Sequence, residues 1–232
     1  MKLKNKTVLI TGGSTGIGKA IAEEFIKKEA NIIVLGINKP EYKCDFHKVN
    51  IGKEEQIKSA LQNINSIDIL INNAGIFLGD TIENTSSSDL NIIIDINIKG
   101  LFWVCKYSIP KIQKGGCIIN IGSISGVKPR PGTSVYSFTK AAVINLTKAL
   151  ALELAEKDIR VNCINPGAVD TPIWEKSANS KEEALKDLKE AAAKYPLRRP
   201  GKPEEIAHTA IFLAENDFIT GALIAVDGGA TT

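Results

Sequence analysis

The chain has 232 residues, 44% hydrophobic and 24% charged, which suits one globular α/β domain. A net charge of +3 is too small to point to nucleic acid or an anionic membrane surface, and no apolar run reaches the length of a membrane span. Cys44, Cys105, Cys117 and Cys163 form no CxxC pair and have no His cluster nearby, His47 and His208 being single, so reduced thiols are expected and a metal site is not. The basic start, Met1 to Lys6, is followed only by Val8-Leu9-Ile10, too short for a signal-peptide core, so a soluble cytoplasmic protein is expected.

In chain order, Thr7 to Thr11 reads as a buried parallel strand. It leads into Gly12-Gly13-Ser14-Thr15-Gly16-Ile17-Gly18. Lys19 to Glu29 then places Ile21, Ala22, Phe25 and Ile26 at helical spacing, and Asn31 to Leu35 is a second strand, completing a βαβ unit. Asn38 to Asp45 is polar, contains Pro40 and is too short for a helix of normal length. Phe46 to Val49 reads as a third strand, Lys53 to Ile64 as a helix, and Ile67 to Ile71 as a strand closed by Asn72-Asn73-Ala74-Gly75. Ser86 to Asp89 opens a helix whose apolar spacing continues through Trp103 to Ile112. Cys117 to Ile121 is a fifth strand, Ser134 to Ala155 a long helix, and Ile159 to Ile164 a sixth strand broken by Asn165-Pro166-Gly167. Val169 to Arg199 is polar, helical from Lys181 to Ala193, and reads as an excursion from the core. Pro203 opens a helix to Ala214, and Ala222 to Val226 is the last strand. This alternation predicts an α/β fold: a single domain over residues 1–232, built on a doubly wound (Rossmann) parallel sheet with helices on both faces.

The glycine turn follows a strand and opens a helix. Glycines there let backbone amides approach a phosphate, and the helix N-terminus favours negative charge. The spacing Gly12, Gly16, Gly18 is not the commoner GxGxxG, and no GKS or GKT follows, which excludes an NTPase phosphate loop. Tyr136 and Lys140 sit four apart at the start of the long helix, on one face. A phenol ionises near pH 10 and a close ammonium lowers that value, so the pair is a candidate acid/base device, although an ordinary helix can carry the same two residues. Ser123, thirteen positions before Tyr136, follows a strand where its hydroxyl can bond a substrate oxygen. In such sheets ligands gather at the carboxyl ends of the strands, and the element order sends Asn72-Asn73, Ser123 and Asn165 to the edge where the glycine turn lies.

In the joint order and spacing of Thr11 to Gly18, Asn72-Asn73-Ala74-Gly75, Asn97, Ser123, Tyr136 with Lys140, Asn165-Pro166-Gly167 and Val226-Asp227-Gly228-Gly229, the chain resembles the short-chain dehydrogenase/reductase family over nearly its whole length. Tyr195-Pro196-Leu197 and Gly201 to Ala207 are similar to that family's bacterial 3-oxoacyl-carrier-protein reductase branch. The resemblance implies an NAD(P)-dependent alcohol dehydrogenase or carbonyl reductase that moves a hydride between nicotinamide and a small carbonyl or secondary-alcohol substrate. It implies that Tyr136 is the acid/base, that Lys140 lowers its pKa and holds the nicotinamide ribose, that Ser123 steadies the substrate oxygen, and that Asn97 orders a water beside Lys140. Gly12, Gly16, Ile17 and Gly18 would cradle the pyrophosphate, Asn73 and Ala74 would line the adenine-ribose side, and Thr171 would touch the carboxamide end. Ser14, Thr15, Asn50, Gly75, Pro166 and Gly167, with Tyr136 and Lys140, complete the expected cofactor contacts. Asn73 has a second reading, as an amide that ties the fourth strand to its neighbour.

The chain departs from the family pattern where cofactor choice is made. Gly36 stands where NAD users carry an acid, and Ile37 and Thr15 stand where NADP users carry a base. Asn50 stands where the family often has Asp near the adenine. Lys39 and Lys43 could meet a phosphate, and Glu41 or Asp45 a hydroxyl, unless all four are solvated loop charges. Both NAD and NADP stay open, with a lean to NAD, because a 2′-phosphate needs positive charge more than a hydroxyl needs a carboxylate.

The excursion 169–199 is expected to cover the site and select the substrate, with Ile173 and Trp174 as an apolar wall or simply packing the loop down. Lys128, Arg130, Arg198, Arg199 and Lys202 could dock an acyl carrier protein, a scattered set of solvated charges being the plainer reading. Apolar helices around Trp103 and from Leu146 to Leu154 are expected to pack subunits into a homodimer or homotetramer. The other class of function is a catalytically inactive, nucleotide-sensing binding protein on the same scaffold. Such a protein would have lost its acid/base residues, whereas this chain keeps Asn97, Ser123, Tyr136 and Lys140.

Overall fold

Side chains alternate between the faces of a strand, so a strand that is apolar at every position needs cover on both sides. The first strand shows the consequence: Leu9 joins one core, while Val8 and Ile10 join the other. The computed structural model describes residues 1–175 and 180–232. Its strands are β1 (Thr7–Thr11), β2 (Asn31–Gly36), β3 (Asp45–Lys48), β4 (Ile67–Asn72), β5 (Ile112–Ile121), β6 (Arg160–Pro166) and β7 (Leu223–Val226). All pair in parallel, in the order β3-β2-β1-β4-β5-β6-β7, which is the doubly wound sheet expected.

On one face lie α2 (Glu54–Gln62), α4 (Leu101–Ser108) and α5 (Ser134–Glu153), burying Ile57, Leu61, Val104, Val143 and Leu150 against Leu9, Leu70 and Ile118. On the other, α1 (Gly16–Lys27) and α7 (Pro203–Glu215) pack together over Ile10, Ile71, Ile119 and Ile164. Cys105, Cys117 and Cys163 are buried free thiols. Among the described residues no helix is long and apolar enough to cross a membrane.

Two elements differ from their sequence reading. The helix expected to run from Ser86 to Ile112 is broken into parts. Ser86 caps α3 (Ser87–Ile94), its Oγ accepting from the Asp89 amide at 3.0 Å. The ladder then widens to π-helical bonding over Asp95–Gly100 before α4. A Cβ on Gly100 would lie 2.7 Å from the Ile51 carbonyl oxygen, so the wide turn is pressed against the loop after β3. The second difference is β5, which starts at Ile112 rather than Cys117. Its pairing with β4 jumps from Ile67–Ile112 to Ile69–Cys117, so residues 113–116 bulge out, with Gly115 at φ +79°. The two glycines of that bulge conceal the strand's beginning.

Candidate functional site

The floor of the site is made where β5 ends. A Cβ at Gly122 would fall 2.1 Å from Asn165 Oδ1, so only glycine allows the ends of β5 and β6 to approach there. The chain then turns at Ser123, whose Oγ accepts from the Ser125 amide at 3.1 Å. Helix α5 follows, and four residues of spacing bring Tyr136 and Lys140 onto its inner face. Ser123, Tyr136 and Lys140 line one cavity of about 370 Å³ together with Gly12, Gly16 and Ala74. Lys140 Nζ lies 5.7 Å from the centre of the Tyr136 ring and donates to the Ile121 carbonyl at 2.9 Å. The Phe77 ring meets Tyr136 edge-on at 5.0 Å.

The electrostatics of the pair run opposite to the sequence expectation. Burial pushes the Tyr136 phenol up to about 12, and a hydrogen bond with Ser123 offsets part of that rise. Lys140 is itself drawn down to about 8 by burial, with the Cys163 thiol pulling slightly the other way. The cause is loss of water, which dominates both groups. A phenol held this way is protonated at neutral pH and suited to donating.

Asn97 lies in the π-helical turn, is 3% exposed and does not line the cavity. Its Oδ1 accepts from the Ile76 amide, and its Nδ2 donates to the Ile76 carbonyl, both at 2.9 Å. Nδ2 also donates to Thr139 Oγ1 at 3.2 Å, and that hydroxyl donates to the Tyr136 carbonyl at 2.8 Å. The Asn97 side chain thus ties the loop after β4 to the catalytic turn of α5. Thr139 was not singled out from the sequence, although its place inside the Tyr-to-Lys spacing was the available signal.

Gly12, Ser14, Thr15, Gly16 and Ile17 line the other half of the cavity. Gly12 and Gly16 have φ of +68° and +54°, and a Cβ on Gly16 would press on Thr171 at 3.2 Å. No side chain caps the start of α1, and its first turn holds no acid. The cradle therefore suits the pyrophosphate of a dinucleotide: backbone amides, no competing carboxylate, and no Cβ at the closest approach. Gly18 does not line the cavity, contrary to expectation. A Cβ there would lie 2.3 Å from Gly12 O and 2.4 Å from Asn73 Nδ2, so this glycine serves the packing of the turn onto α1.

Asn73 lines the cavity, and its Nδ2 donates to the carbonyls of Thr11 and Gly12, each at 3.0 Å. The tie between β4 and its neighbour is thereby made. Thr11 Oγ1 accepts from the amides of Asn73 and Ala74. Asn72 and Asn165 serve structure: Asn72 bonds Asn120, and Asn165 accepts from the Cys163 thiol. Asn50, Gly75, Pro166, Gly167 and Thr171 all line the cavity. Asn50 turns its Oδ1 back to the Gly52 amide.

At the far end, Gly36, Ile37 and Asn38 line the cavity. The short connection after β2 also supplies a contact the sequence did not announce. Tyr42 donates its hydroxyl to the Gly13 carbonyl at 2.6 Å, and burial raises its phenol above the usual range.

The excursion covers the opposite end. Thr171, Pro172, Ile173, Trp174 and Tyr195 line the cavity. Trp174 Nε1 donates to the Val169 carbonyl at 3.0 Å, and the Tyr195 hydroxyl accepts from the Ala168 amide at 3.0 Å. Leu188, Ala191 and Ala192 of α6 (Lys181–Ala193) make a small core of their own beneath these two rings. The part of the excursion at 176–179 lies outside the described residues.

The sequence profile described as Enoyl-(Acyl carrier protein) reductase matches residues 12–231. The chain is similar to the 3-oxoacyl-(acyl-carrier-protein) reductase FabG of Thermotoga maritima, 36% identical over 99% of each chain. It is similar in structure to a 3-ketoacyl-(acyl-carrier-protein) reductase from Brucella melitensis complexed with NADH, with TM-score 0.86 and 29% identity over 99% of this chain and 100% of that one. It is also similar to a short chain dehydrogenase from Burkholderia cenocepacia in complex with NADP, with TM-score 0.89 and 25% identity over 100% of both.

Proposed function

The chain belongs to the short-chain dehydrogenase/reductase family, and we propose from that premise that it is an NAD(P)-dependent carbonyl reductase and alcohol dehydrogenase with Tyr136 as its acid/base. The observation that carries this reading is the meeting of Ser123, Tyr136 and Lys140 on the wall of a cavity whose other half is the glycine turn.

A bound nicotinamide supplies or accepts the hydride at the carbon that bears the substrate oxygen. The protein's own share is orientation and the proton. The Ser123 hydroxyl donates to the substrate oxygen and fixes its position. The Tyr136 phenol, protonated at neutral pH, gives its proton to that oxygen during reduction and takes it back during oxidation. Lys140 would hold the ribose hydroxyls of a bound cofactor with the ammonium hydrogens that the Ile121 carbonyl leaves free. Asn97 acts at one remove: its side chain is occupied by Ile76 and Thr139, so it fixes the turn that carries Tyr136. The amides opening α1 hold the pyrophosphate, and Asn50 Nδ2 is the donor toward the adenine. Oxo compounds, including 3-oxoacyl thioesters, are the substrate class to try first. NAD is the favoured cofactor, because Gly36, Ile37 and Asn38 at the adenosine end offer no cation to a 2′-phosphate.

We take the assembly to be a homodimer or homotetramer formed through α4 and α5, where Phe102 is 49% exposed and Leu152 81% exposed. Nothing in the site favours the inactive nucleotide sensor. The test is a panel of ketones, aldehydes and alcohols assayed by absorbance of the reduced cofactor, with NADH and NADPH at equal concentration. Turnover by the native chain, and its loss in Tyr136→Phe while cofactor still binds, is the expected result. Equal turnover by the two proteins refutes the assignment.

A further inference from the structure

The cavity that holds Ser123 and Tyr136 also reaches Arg130, and its charge pattern is one-sided. Among the described residues no Asp or Glu lines it, and the cations that do are Lys140 and Arg130. Lys140 is buried and committed to the Ile121 carbonyl. Arg130 stands at the mouth, on the loop between Ser123 and α5. Among the described residues no carboxylate forms an ion pair with it, whereas its neighbour Lys128 is tied to the Ala230 carbonyl at 2.8 Å.

Arg130 is also held in place, which a solvated surface charge does not require. It sits between Pro129 and Pro131, whose rings limit the backbone on either side. Thr133, the residue just before α5, then grips it: Thr133 Oγ1 accepts from the Arg130 amide at 3.2 Å and donates to the Arg130 carbonyl at 2.7 Å. The same Thr133 hydroxyl lies 3.0 Å from Ser137 Oγ, next to Tyr136 in the chain. The base of the guanidinium's arm is therefore fixed to the helix turn that carries the acid/base.

We propose that Arg130 is a substrate-recognition residue for an oxyanion, and that the natural substrate is an oxo or hydroxy compound carrying a carboxylate or phosphate at the end remote from the reacting carbon. This rests on the reductase reading above and deepens it. A planar guanidinium presents paired donors matched to a carboxylate or phosphate, and a cavity without acids leaves no competitor for it. Phe77, Ile173 and Trp174 line the same cavity and give it an apolar wall.

The experiment compares matched pairs under one assay: 3-oxobutanoate against its methyl ester, and dihydroxyacetone phosphate against dihydroxyacetone. In at least one pair the anion is expected to exceed its neutral twin about tenfold in kcat/KM, a difference of about 1.4 kcal/mol. Which pair responds identifies the oxyanion. Arg130→Gln should bring the ratio near one by raising KM for the anion, while kcat for it falls less than threefold. Arg130→Lys should keep part of the preference, and an unchanged melting temperature in both variants shows that neither acts through folding. Neutral twins that equal or outrun the anions overturn the proposal and leave the reductase assignment standing, as does an anion preference that survives in Arg130→Gln. Failure of the native chain on every carbonyl overturns both readings.

Discussion

The floor and the cover of the cavity are built in different ways. The floor takes Ser123, Tyr136 and Lys140 from the ends of β5 and the start of α5, and locks them with bonds to carbonyls and amides at 2.8–3.2 Å. Among the described residues the cover leans on an alanine-rich helix with a small core of its own, Trp174 bonding the Val169 carbonyl and Tyr195 the Ala168 amide. A group that moves a proton must hold its place to a fraction of an ångström, so it is set in the most cross-linked part of the fold. An apolar wall that fits a substrate by shape tolerates more movement, and sits where rearrangement costs little.

That contrast can be broken from the floor first. Tyr136→Phe keeps the packing against Phe77 and removes only the proton donor, so kcat should fall by about 10²–10⁴ with cofactor affinity retained. Normal rates would mean that the phenol is mere packing. Asn97→Ala removes three bonds of a buried side chain at once. It should cost about 1–3 kcal/mol in urea unfolding and lower kcat at unchanged cofactor affinity, and a purely stability effect would take Asn97 out of the catalytic turn.

The pH dependence of stability tests the burial of Lys140. Its pKa near 8 lies below the unfolded value of 10.5, so between those limits the unfolded chain keeps a proton that the native chain has lost. Unfolding free energy from this group is therefore lowest below pH 8 and rises with pH through that window, by about 1 kcal/mol per pH unit. The buried thiols, raised to about 11 or 12, pull the other way above pH 9, so the measurement is the native chain minus Lys140→Met. A difference that is flat from pH 8 to 10 would mean the ammonium is solvated. The smallest effect belongs to the cover: Trp174→Ala should raise substrate KM by about threefold to tenfold and change kcat less than twofold. A collapse of kcat there would make the cover part of the floor.

The sheet, the glycine turn and the Tyr-Lys pair were legible because each is written locally, in apolar runs, in glycines next to a strand, or in a spacing of four. What escaped was set by partners distant in sequence. The Tyr42 clamp joins residues 29 apart, and nothing near Tyr42 names Gly13. Gly18 looked like the other glycines of the turn, and only the approach of Gly12 and Asn73 shows that it packs rather than cradles. The tuning of Tyr136 was hidden because spacing reports that an ammonium is near, not how deeply the phenol is buried. The start of β5 was hidden by a bulge, which interrupts the apolar pattern without ending the pairing.

The widened ladder at Asp95–Gly100 makes this helix tolerant in an unusual direction. A π turn carries one residue more than an α-ladder needs, so deleting a single position there would let the bonding close up regularly. The same deletion would leave α3 and α4 facing as before and shift the residues inside the turn. Asn97 would leave Ile76 and Thr139, and a chain with a more regular helix would be a poorer catalyst.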